Sequence, residues 1–435
     1  MLRLIDFRSR PLSAAELRGA LPRPEVDVTV AAATAAELVE DVRARGAAAL
    51  REQAERLDGG AADPIRATPE ELAEALAALD PEVRAALEEM IARVRKGSAA
   101  QVPPRVETEV APGATIVQRW QPVDRVGLYV PGGKAVYPSS VIMNVVPAQA
   151  AGVPSLAIAS PPQRDFGGRI HPTILAACAL LGVEEVYAMG GAGAIGALAH
   201  GVEEIGLEPV DVITGPGNVW VAAAKRVVSS VVGIDAEAGP TEILVIADGA
   251  ADVEAVASDL VSQAEHDEMA GSVLVTPDAE FAERVSAAVD RRAAATKHAE
   301  RCRIALEGPQ SAIVLVDDLA AAARVSNAYG PEHLEIQTSD DEAVLADITS
   351  AGAIFLGRTS PVPLGDYVAG SNHVLPTGGQ ASHASGLGAY TFLRAQQIIR
   401  YDEAAFAEVA PKIVALANAE DLPAHGEAAE ARGRA

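Results

Sequence analysis

Two polar side chains stand next to each other in the segment GPEHLEI, and they are the first candidates for chemistry in this sequence. Glu332 and His333 follow a predicted helix and precede a predicted strand, so they lie at one edge of a sheet, where sites in α/β folds collect. A carboxylate and an imidazole differ in basicity, and the pair could therefore carry out two proton transfers near neutral pH. A solvated polar pair at the start of a strand is the alternative.

A second group of residues has side chains that can bind zinc. Gln263 and His266 share one face of a predicted helix end, because they are three residues apart. Asp366 lies in a glycine-rich segment, and His425 follows another predicted helix. Imidazole nitrogen and carboxylate oxygen are common zinc ligands, whereas an amide oxygen is a rarer one. The spacing of these four residues matches no known zinc-binding motif. Each of them could therefore have a purely structural role instead.

Three glycine-containing turns could receive a nucleotide. Gly191–Gly196 has the formal pattern GxGxxG between a predicted strand and helix. Gly215–Asn218 joins another strand to a helix N-terminus, where N–H groups favour phosphate, and PGGK at 131–134 is the third turn. The acidic residue expected about 20 positions after the first pattern is Asp211, which begins a strand instead of ending one. Three such turns in succession indicate a dinucleotide-binding site. The alternative is that the glycines only allow strands and helices to pack closely.

The elements that must position these residues alternate between strand and helix. A hairpin is predicted over 106–120, and the following strands are continuous apolar runs such as VGLYV, SLAIAS, EILVIA and SVLVT. Such runs are typical of parallel sheets that are covered by helices on both faces. The sequence therefore predicts an α/β fold with two units of similar design, at roughly 125–240 and 241–358.

The flanking regions have a different character. The first hundred residues predict helices, with capping boxes at Ser13–Glu16 and Thr68–Glu71. Residues 357–388 are rich in glycine and proline, and a loop of this length within a compact enzyme is usually functional. A largely helical segment is predicted from 390 to about 418, with an interruption at Pro411.

Composition excludes several classes of partner. The 435 residues are 49% hydrophobic and carry a formal net charge of -25, which repels nucleic-acid phosphates and anionic lipids. The aromatic content of 3% also argues against base stacking. No apolar stretch resembles a signal peptide or reaches the roughly 20 residues of a membrane helix. The two cysteines, Cys178 and Cys302, are isolated, so a cytoplasmic protein without disulfides is expected.

Longer segments in a fixed order resemble the histidinol dehydrogenase family. They are VGLYVPGGKAVYPSSVIMNVVPAQAAGV, TGPGNVWVAAAKR, AGPTEILVIAD, SQAEHD, YGPEHLEI and GDYVAGSNHVLPTGGQA. The similarity extends from about residue 25 to His425. The resemblance implies a zinc- and NAD-dependent oxidoreductase that converts L-histidinol, through L-histidinaldehyde, into L-histidine in the last two steps of histidine synthesis.

The resemblance also implies roles for individual residues. The catalytic pair would be Glu332 and His333, with His333 taking the alcohol proton and Glu332 activating water for the second oxidation. One zinc ion per subunit would be held by Gln263, His266, Asp366 and His425. Substrate contacts would come from these four residues together with Thr241, His333, His373 and Glu420. NAD contacts would come from Tyr129 and Asn218.

One position departs from the family pattern. Where the family has a glutamine that contacts NAD, this chain has Gly193. The apparent GxGxxG then follows from the substitution, and the NAD contact at Gly193 is in doubt.

The pattern and the resemblance together predict two Rossmann-like but incomplete α/β domains with parallel sheets, plus small N-terminal helical and C-terminal helical arm regions. The expected division is an N-terminal arm at 1–24, a discontinuous first domain at 25–124 with 241–378, an NAD-associated second domain at 125–240 and the C-terminal arm at 379–435. The family forms homodimers, and the arm could reach the neighbouring active site. L-Histidinol is the expected partner, with no nucleic acid or membrane.

Other functions would require different residues at the same positions. A related dehydrogenase of another small alcohol, such as a sulfonated diol, should carry Arg or Lys in place of Glu420 and His373. A non-catalytic metabolite-binding paralogue should have lost Glu332, His333 or a zinc ligand. A zinc hydrolase should lack nucleotide loops. The sequence favours the histidinol enzyme over each of them.

Overall fold

A computed structural model describes residues 2–10, 12–24, 28–132, 135–237 and 239–432 of the chain. The PGGK turn therefore lies in part outside the described residues, as does the expected start of the first domain at residue 25.

The described residues form fourteen strands. In chain order they are β1 Arg3–Asp6, β2 Val106–Ala111, β3 Ala114–Pro122, β4 Arg125–Tyr129, β5 Ser155–Ser160, β6 Val186–Ala188, β7 Val212–Thr214, β8 Gly233–Ile234, β9 Glu242–Ala247, β10 Gly271–Thr276, β11 Ala312–Leu315, β12 His333–Gln337, β13 Ala353–Leu356 and β14 Leu393–Tyr401.

The same residues form seventeen α-helices. In chain order they are α1 Ala14–Ala20, α2 Val28–Arg45, α3 Ala47–Gln53, α4 Pro69–Ala78, α5 Pro81–Ala100, α6 Pro138–Ala151, α7 Pro172–Leu180, α8 Gly191–His200, α9 Val219–Val228, α10 Val253–Ala264, α11 Ala279–Ala295, α12 Ala299–Glu307, α13 Leu319–Tyr329, α14 Asp341–Leu345, α15 Val362–Tyr367, α16 Glu403–Ala419 and α17 Pro423–Glu430. The predicted capping boxes are present at the starts of α1 and α4.

The larger sheet contains six parallel strands in the order β1-β11-β10-β9-β12-β13. Strands β9 to β12 are buried along their whole length. Helices α10, α11 and α12 cover one face of this sheet, and α1 and α13 cover the other. Because both faces are covered, the strands must be apolar almost throughout, which explains runs such as EILVIA.

The smaller parallel sheet contains five strands in the order β6-β5-β4-β7-β8. Helices α4 to α7 pack on one face, and α2, α3, α8 and α9 pack on the other. The two parallel sheets confirm the predicted α/β fold with two Rossmann-like units. Among the described residues, no helix combines the length and hydrophobicity needed to cross a lipid bilayer.

The predicted domain boundaries stay a prediction, but the packing bears on where they would be drawn. The helices between residues 28 and 100 bury their apolar side chains against the five-stranded sheet. A division based on hydrophobic contacts would therefore group them with 125–240 and not with 241–378. The sequence could not decide this point, because an amphipathic helix does not specify which of two sheets it covers.

Two strands lie where the sequence predicted arms made of helix. Strand β1 pairs in parallel with β11 at the edge of the larger sheet, so the N-terminal arm is not wholly helical. Strand β14 pairs with β3 in a three-stranded antiparallel sheet, of which β2 and β3 are the predicted hairpin. The run LRAQQIIRY contains good helix formers, but pairing along all nine residues of β14 outweighs that local preference.

The predicted interruption at Pro411 is also wrong, since α16 continues through it. Proline at this position removes the hydrogen bond to the carbonyl of Ala407. Both residues are exposed, so water can hydrate that carbonyl and the helix tolerates the loss.

Substitution of Phe392 tests whether the C-terminal region is held in place by packing in the core of the smaller α/β unit. Its side chain is fully buried in the core of the smaller unit, immediately before β14. Phe392→Ala should lower the free energy of unfolding by about 3–5 kcal/mol, because it leaves a cavity in that core. Phe392→Leu should cost only about 1.5 kcal/mol or less, since leucine refills most of the volume. Urea denaturation compares the three proteins, and equal losses for both variants would contradict the packing described.

Candidate functional site

The catalytic candidates lie at the amino edge of the larger sheet. Strand β12 begins at His333, which is paired with Ile243, the second residue of the neighbouring strand β9. Helix α10 runs back antiparallel to the strands, so Gln263 near its C-terminus returns to the same edge. Ligands of open α/β sheets usually bind at the carboxyl edge, and this site is therefore placed at the opposite end of the strands.

Glu332 is buried and held by two donors. Its Oε2 accepts hydrogen bonds from the Thr241 hydroxyl at 2.5 Å and from the backbone N–H of Glu242 at 3.0 Å. Burial raises the pKa of Glu332 to about 8, although these two hydrogen bonds act in the opposite direction. A carboxyl group with a pKa in this range can both hold and release a proton near neutral pH.

His333 is also buried, and its contacts define the tautomer. Nδ1 lies 3.1 Å from the backbone oxygen of Glu242, which can only accept, so Nδ1 carries the proton. The lone pair is then on Nε2. Burial lowers the pKa of His333, against the opposing charges of Asp366 and Glu242. The residue is therefore a neutral imidazole with one nitrogen able to accept a proton.

Gln263 and His266 have the chemical properties of metal ligands. The Gln263 Nε2 donates to the Thr241 hydroxyl at 2.7 Å, whereas its buried Oε1 has no hydrogen-bond partner among the described residues. An unpaired buried acceptor is costly, and a cation would satisfy it. Burial lowers the pKa of His266, which keeps its imidazole neutral and suited to bind a metal.

The glycine-rich segment brings Asp366 and His373 close to Gln263 and His266, at the amino edge of the larger sheet. The ring of His373 donates from Nδ1 to the backbone oxygen of Asp366 at 3.1 Å, and its Nε2 accepts from Ser140 at 3.2 Å. Ser140 belongs to α6, which follows β4 of the smaller sheet. This contact therefore joins the amino edge of one sheet to the carboxyl edge of the other. The substrate contact of His373 stays a prediction.

The C-terminal residues are not brought to the site within this chain. Glu420 is the C-cap residue after α16, and His425 lies on α17, which packs against α16; both side chains are exposed. Among the described residues, no group of three or more His, Cys, Asp or Glu side chains is arranged to hold a metal ion. A single chain therefore places three of the four predicted zinc ligands, Gln263, His266 and Asp366, around the predicted catalytic pair. The fourth, His425, lies elsewhere in the same chain.

The NAD candidates lie at the carboxyl edge of the smaller sheet. Tyr129 ends β4, and its hydroxyl accepts from the backbone N–H of Gly191 at 3.2 Å. Asn218 caps α9 by accepting from the N–H groups of residues 220 and 221. The buried Lys225 stabilises the turn before Asn218, because it donates hydrogen bonds to the backbone oxygen of Gly215 and to Asp235. These roles are structural, and contact with NAD stays a prediction.

The structure gives a reason for glycine at position 193. A Cβ on Gly193 would collide with Oε1 of the buried Gln53. The amide of Gln53 is in turn held by the Leu38 backbone oxygen and the Asp41 carboxylate, each at 3.2 Å. A longer side chain at Gly193 would therefore require Gln53 to move.

One residue of the site was missed by reasoning from the sequence. Glu242 is in contact with both catalytic residues through its backbone, and its side chain is buried. The available signal was a carboxylate at the head of EILVIA, a strand that is otherwise continuously apolar. A charge at such a position is costly unless it is paired, so it indicates a buried partner for Glu242.

Known proteins resemble this chain over nearly its whole length. A model of the histidinol dehydrogenase family matches residues 21–433. The histidinol dehydrogenase of Leifsonia xyli is 65% identical over 99% of each chain, and that of Thermobifida fusca is 59% identical over 98% of this chain and 97% of its own. A crystal structure of histidinol dehydrogenase from Elizabethkingia anophelis has a TM-score of 0.92 at 32% identity, covering 99% and 98% of the two chains.

The Thr241 hydroxyl joins Glu332 to Gln263, so its removal should be visible in activity. Thr241→Val keeps the shape but leaves Glu332 with a single donor and Gln263 without an acceptor. We expect kcat/KM to fall by about 10–100-fold, as for other residues that orient a site. Thr241→Ser retains the hydroxyl and should stay within about threefold of the parent. Equal kinetics for the valine and serine variants would contradict this role.

Proposed function

Because the chain belongs to the histidinol dehydrogenase family, we propose that Glu332 and His333 carry the proton transfers of a four-electron, NAD-linked oxidation of L-histidinol to L-histidine. The observation that supports this assignment is the pair of buried groups with pKa values shifted in opposite directions. A neutral imidazole and a carboxyl group of raised pKa are suited to different proton transfers at the same pH.

In the first oxidation, His333 acts as the base. Since its Nδ1–H is held by the Glu242 carbonyl, Nε2 accepts the proton of the substrate hydroxyl as the alcohol becomes the aldehyde. NAD, when bound, supplies the hydride acceptor for this step and a second NAD for the next one.

In the second oxidation, Glu332 acts on water. The ionised carboxylate takes one proton from a water molecule as the water oxygen adds to the aldehyde carbon. The resulting hydrate anion then loses a hydride and its remaining hydroxyl proton to give the carboxylate product. A covalent route through cysteine is disfavoured, because Cys178 and Cys302 are buried in the cores of the two units. Burial also raises the pKa of both thiols, which keeps them protonated.

The donor set at the site fits one zinc ion. It would be held by the unpaired Oε1 of Gln263, the neutral imidazole of His266 and the carboxylate of Asp366, with His425 as the fourth ligand. Zinc, when bound, would orient the imidazole and amino groups of histidinol and hold them in place for the proton transfers. Glu420 would offer a carboxylate to the substrate ammonium.

A second copy of the chain would complete this ligand set. His425 and Glu420 are exposed on a C-terminal arm that also exposes large apolar side chains, with Leu416 65% and Leu422 42% exposed. Apolar side chains exposed to this degree together are typical of an interface. We therefore infer a homodimer in which the arm of one subunit reaches the site of the other, in a cytoplasmic enzyme.

His333→Asn tests the base assignment. Asparagine cannot accept the proton, so turnover should fall by about 10²–10⁴-fold while the zinc content stays near that of the parent. His200→Asn is the control, since His200 ends α8 of the smaller unit, near Arg43 and Glu40 and away from the predicted site residues, and should leave turnover unchanged. Normal turnover in the His333 variant would refute the assignment.

Metal removal tests the zinc assignment. The parent protein should form about two NADH per histidinol consumed, as a four-electron oxidation requires. A chelator should abolish NADH formation, and added zinc should restore it, because the orienting cation is lost and regained. Full activity in protein shown to contain no metal would contradict the zinc assignment, and a ratio of one would contradict the second oxidation.

A further inference from the structure

The side chain of Glu242 takes part in a buried network behind the catalytic pair. It is only 1% exposed. Its Oε2 accepts from Nη1 of Arg23 at 3.0 Å, and its Oε1 accepts from the backbone N–H of Gly378 at 3.1 Å. The carboxylate thus joins the N-terminal region and the glycine-rich segment to the first residue of β9.

Arg23 is itself held in a defined orientation. Its guanidinium lies over the ring of Tyr329, 4.1 Å from the centroid, and it donates to the Tyr329 backbone oxygen. Such stacking and forked hydrogen bonding are properties that lysine does not share. Burial raises the pKa of Glu242, and the charge of Arg23 opposes that rise. Arg23 therefore compensates a carboxylate that would otherwise be costly to bury.

The backbone of Glu242 connects this ion pair to the chemistry. Its N–H donates to Glu332 at 3.0 Å, and its carbonyl accepts from His333 at 3.1 Å. A small displacement of this residue would move the donor of one catalytic group and the acceptor of the other. Misplacement of reacting groups by about 1 Å can cost a hundredfold in rate.

We propose that Arg23 and Glu242 are a positioning pair for the reaction, in which their ion pair fixes the peptide groups that orient Glu332 and His333. This inference rests on the proposed roles of Glu332 and His333. It assigns a catalytic contribution to a residue of the N-terminal region, 219 positions from its partner in the chain.

The kinetic signature of a positioning role differs from that of a binding role. Arg23→Gln leaves the Glu242 carboxylate buried without its cation, so Glu242 and the groups on its backbone should shift. We expect kcat to fall by about 10–100-fold while KM for histidinol stays within about threefold. Arg23→Lys keeps the charge and should recover part of the lost kcat.

A double variant separates charge compensation from loss of packing. Glu242→Gln keeps the volume of the side chain and an oxygen that can accept from Gly378, and it removes the charge that Arg23 compensates. Arg23→Gln combined with Glu242→Gln should therefore have a higher kcat than Arg23→Gln alone. A double variant that is as slow as Arg23→Gln, or slower, would overturn the proposal.

Arg125 offers a matched control. It forms a comparably buried pair with Glu185 at 2.7 Å, but at the amino end of the smaller sheet, away from the catalytic residues. Arg125→Gln should lower the melting temperature without changing kcat. If Arg23→Gln behaves in the same way, with reduced stability and unchanged kcat, the pair is only structural and the proposal fails.

Failure of this inference can be told apart from failure of the proposed function. If His333→Asn is slow and Arg23→Gln is normal, the catalytic roles stand and the positioning role is overturned. If His333→Asn retains normal turnover, the assignment of the catalytic pair fails, and the positioning role fails with it.

Discussion

Glu332 and His333, the proposed catalytic pair, are both hydrogen-bonded to the peptide groups of a single residue, Glu242, and the geometry of the proposed site depends on this arrangement. Glu242 begins β9, which lies inside the larger sheet with β10 on one side and β12 on the other. A strand bonded on both edges and covered on both faces cannot shift without breaking many contacts at once. The donors and acceptors of the site are consequently organised before substrate binds.

Burial sets the protonation states that the chemistry needs. The same low-dielectric surroundings raise the pKa of Glu332 and lower that of His333, because each group loses water that would stabilise its charged form. The charge of Asp366 acts in the same direction on Glu332 and against the shift of His333. The environment thus favours a neutral imidazole beside a carboxyl group that titrates near neutral pH, without a residue dedicated to tuning either one.

The proposed site lies where the two α/β units meet. The contact of His373 with Ser140 joins the larger sheet to α6 of the smaller one, where the predicted NAD contacts also lie. The buried Oε1 of Gln263 has no hydrogen-bond partner among the described residues, whereas His425 is exposed, and the dimer that we propose would bring the two together. The helices between residues 28 and 100 cover the smaller sheet, whereas the sequence had grouped them with the larger one.

The sequence by itself determined the alternation of apolar strands with helices, the capping boxes and the hairpin, and its long ordered segments determined the family. These features depend on residues within a few positions of each other or on long ordered segments. Only the tertiary structure decided that β1 and β14 are strands, that Glu242 holds the catalytic pair, and that Gln53 occupies the space beside Gly193. Each of these is a contact between residues distant in the chain, and the pKa shifts arise from desolvation that no local pattern records.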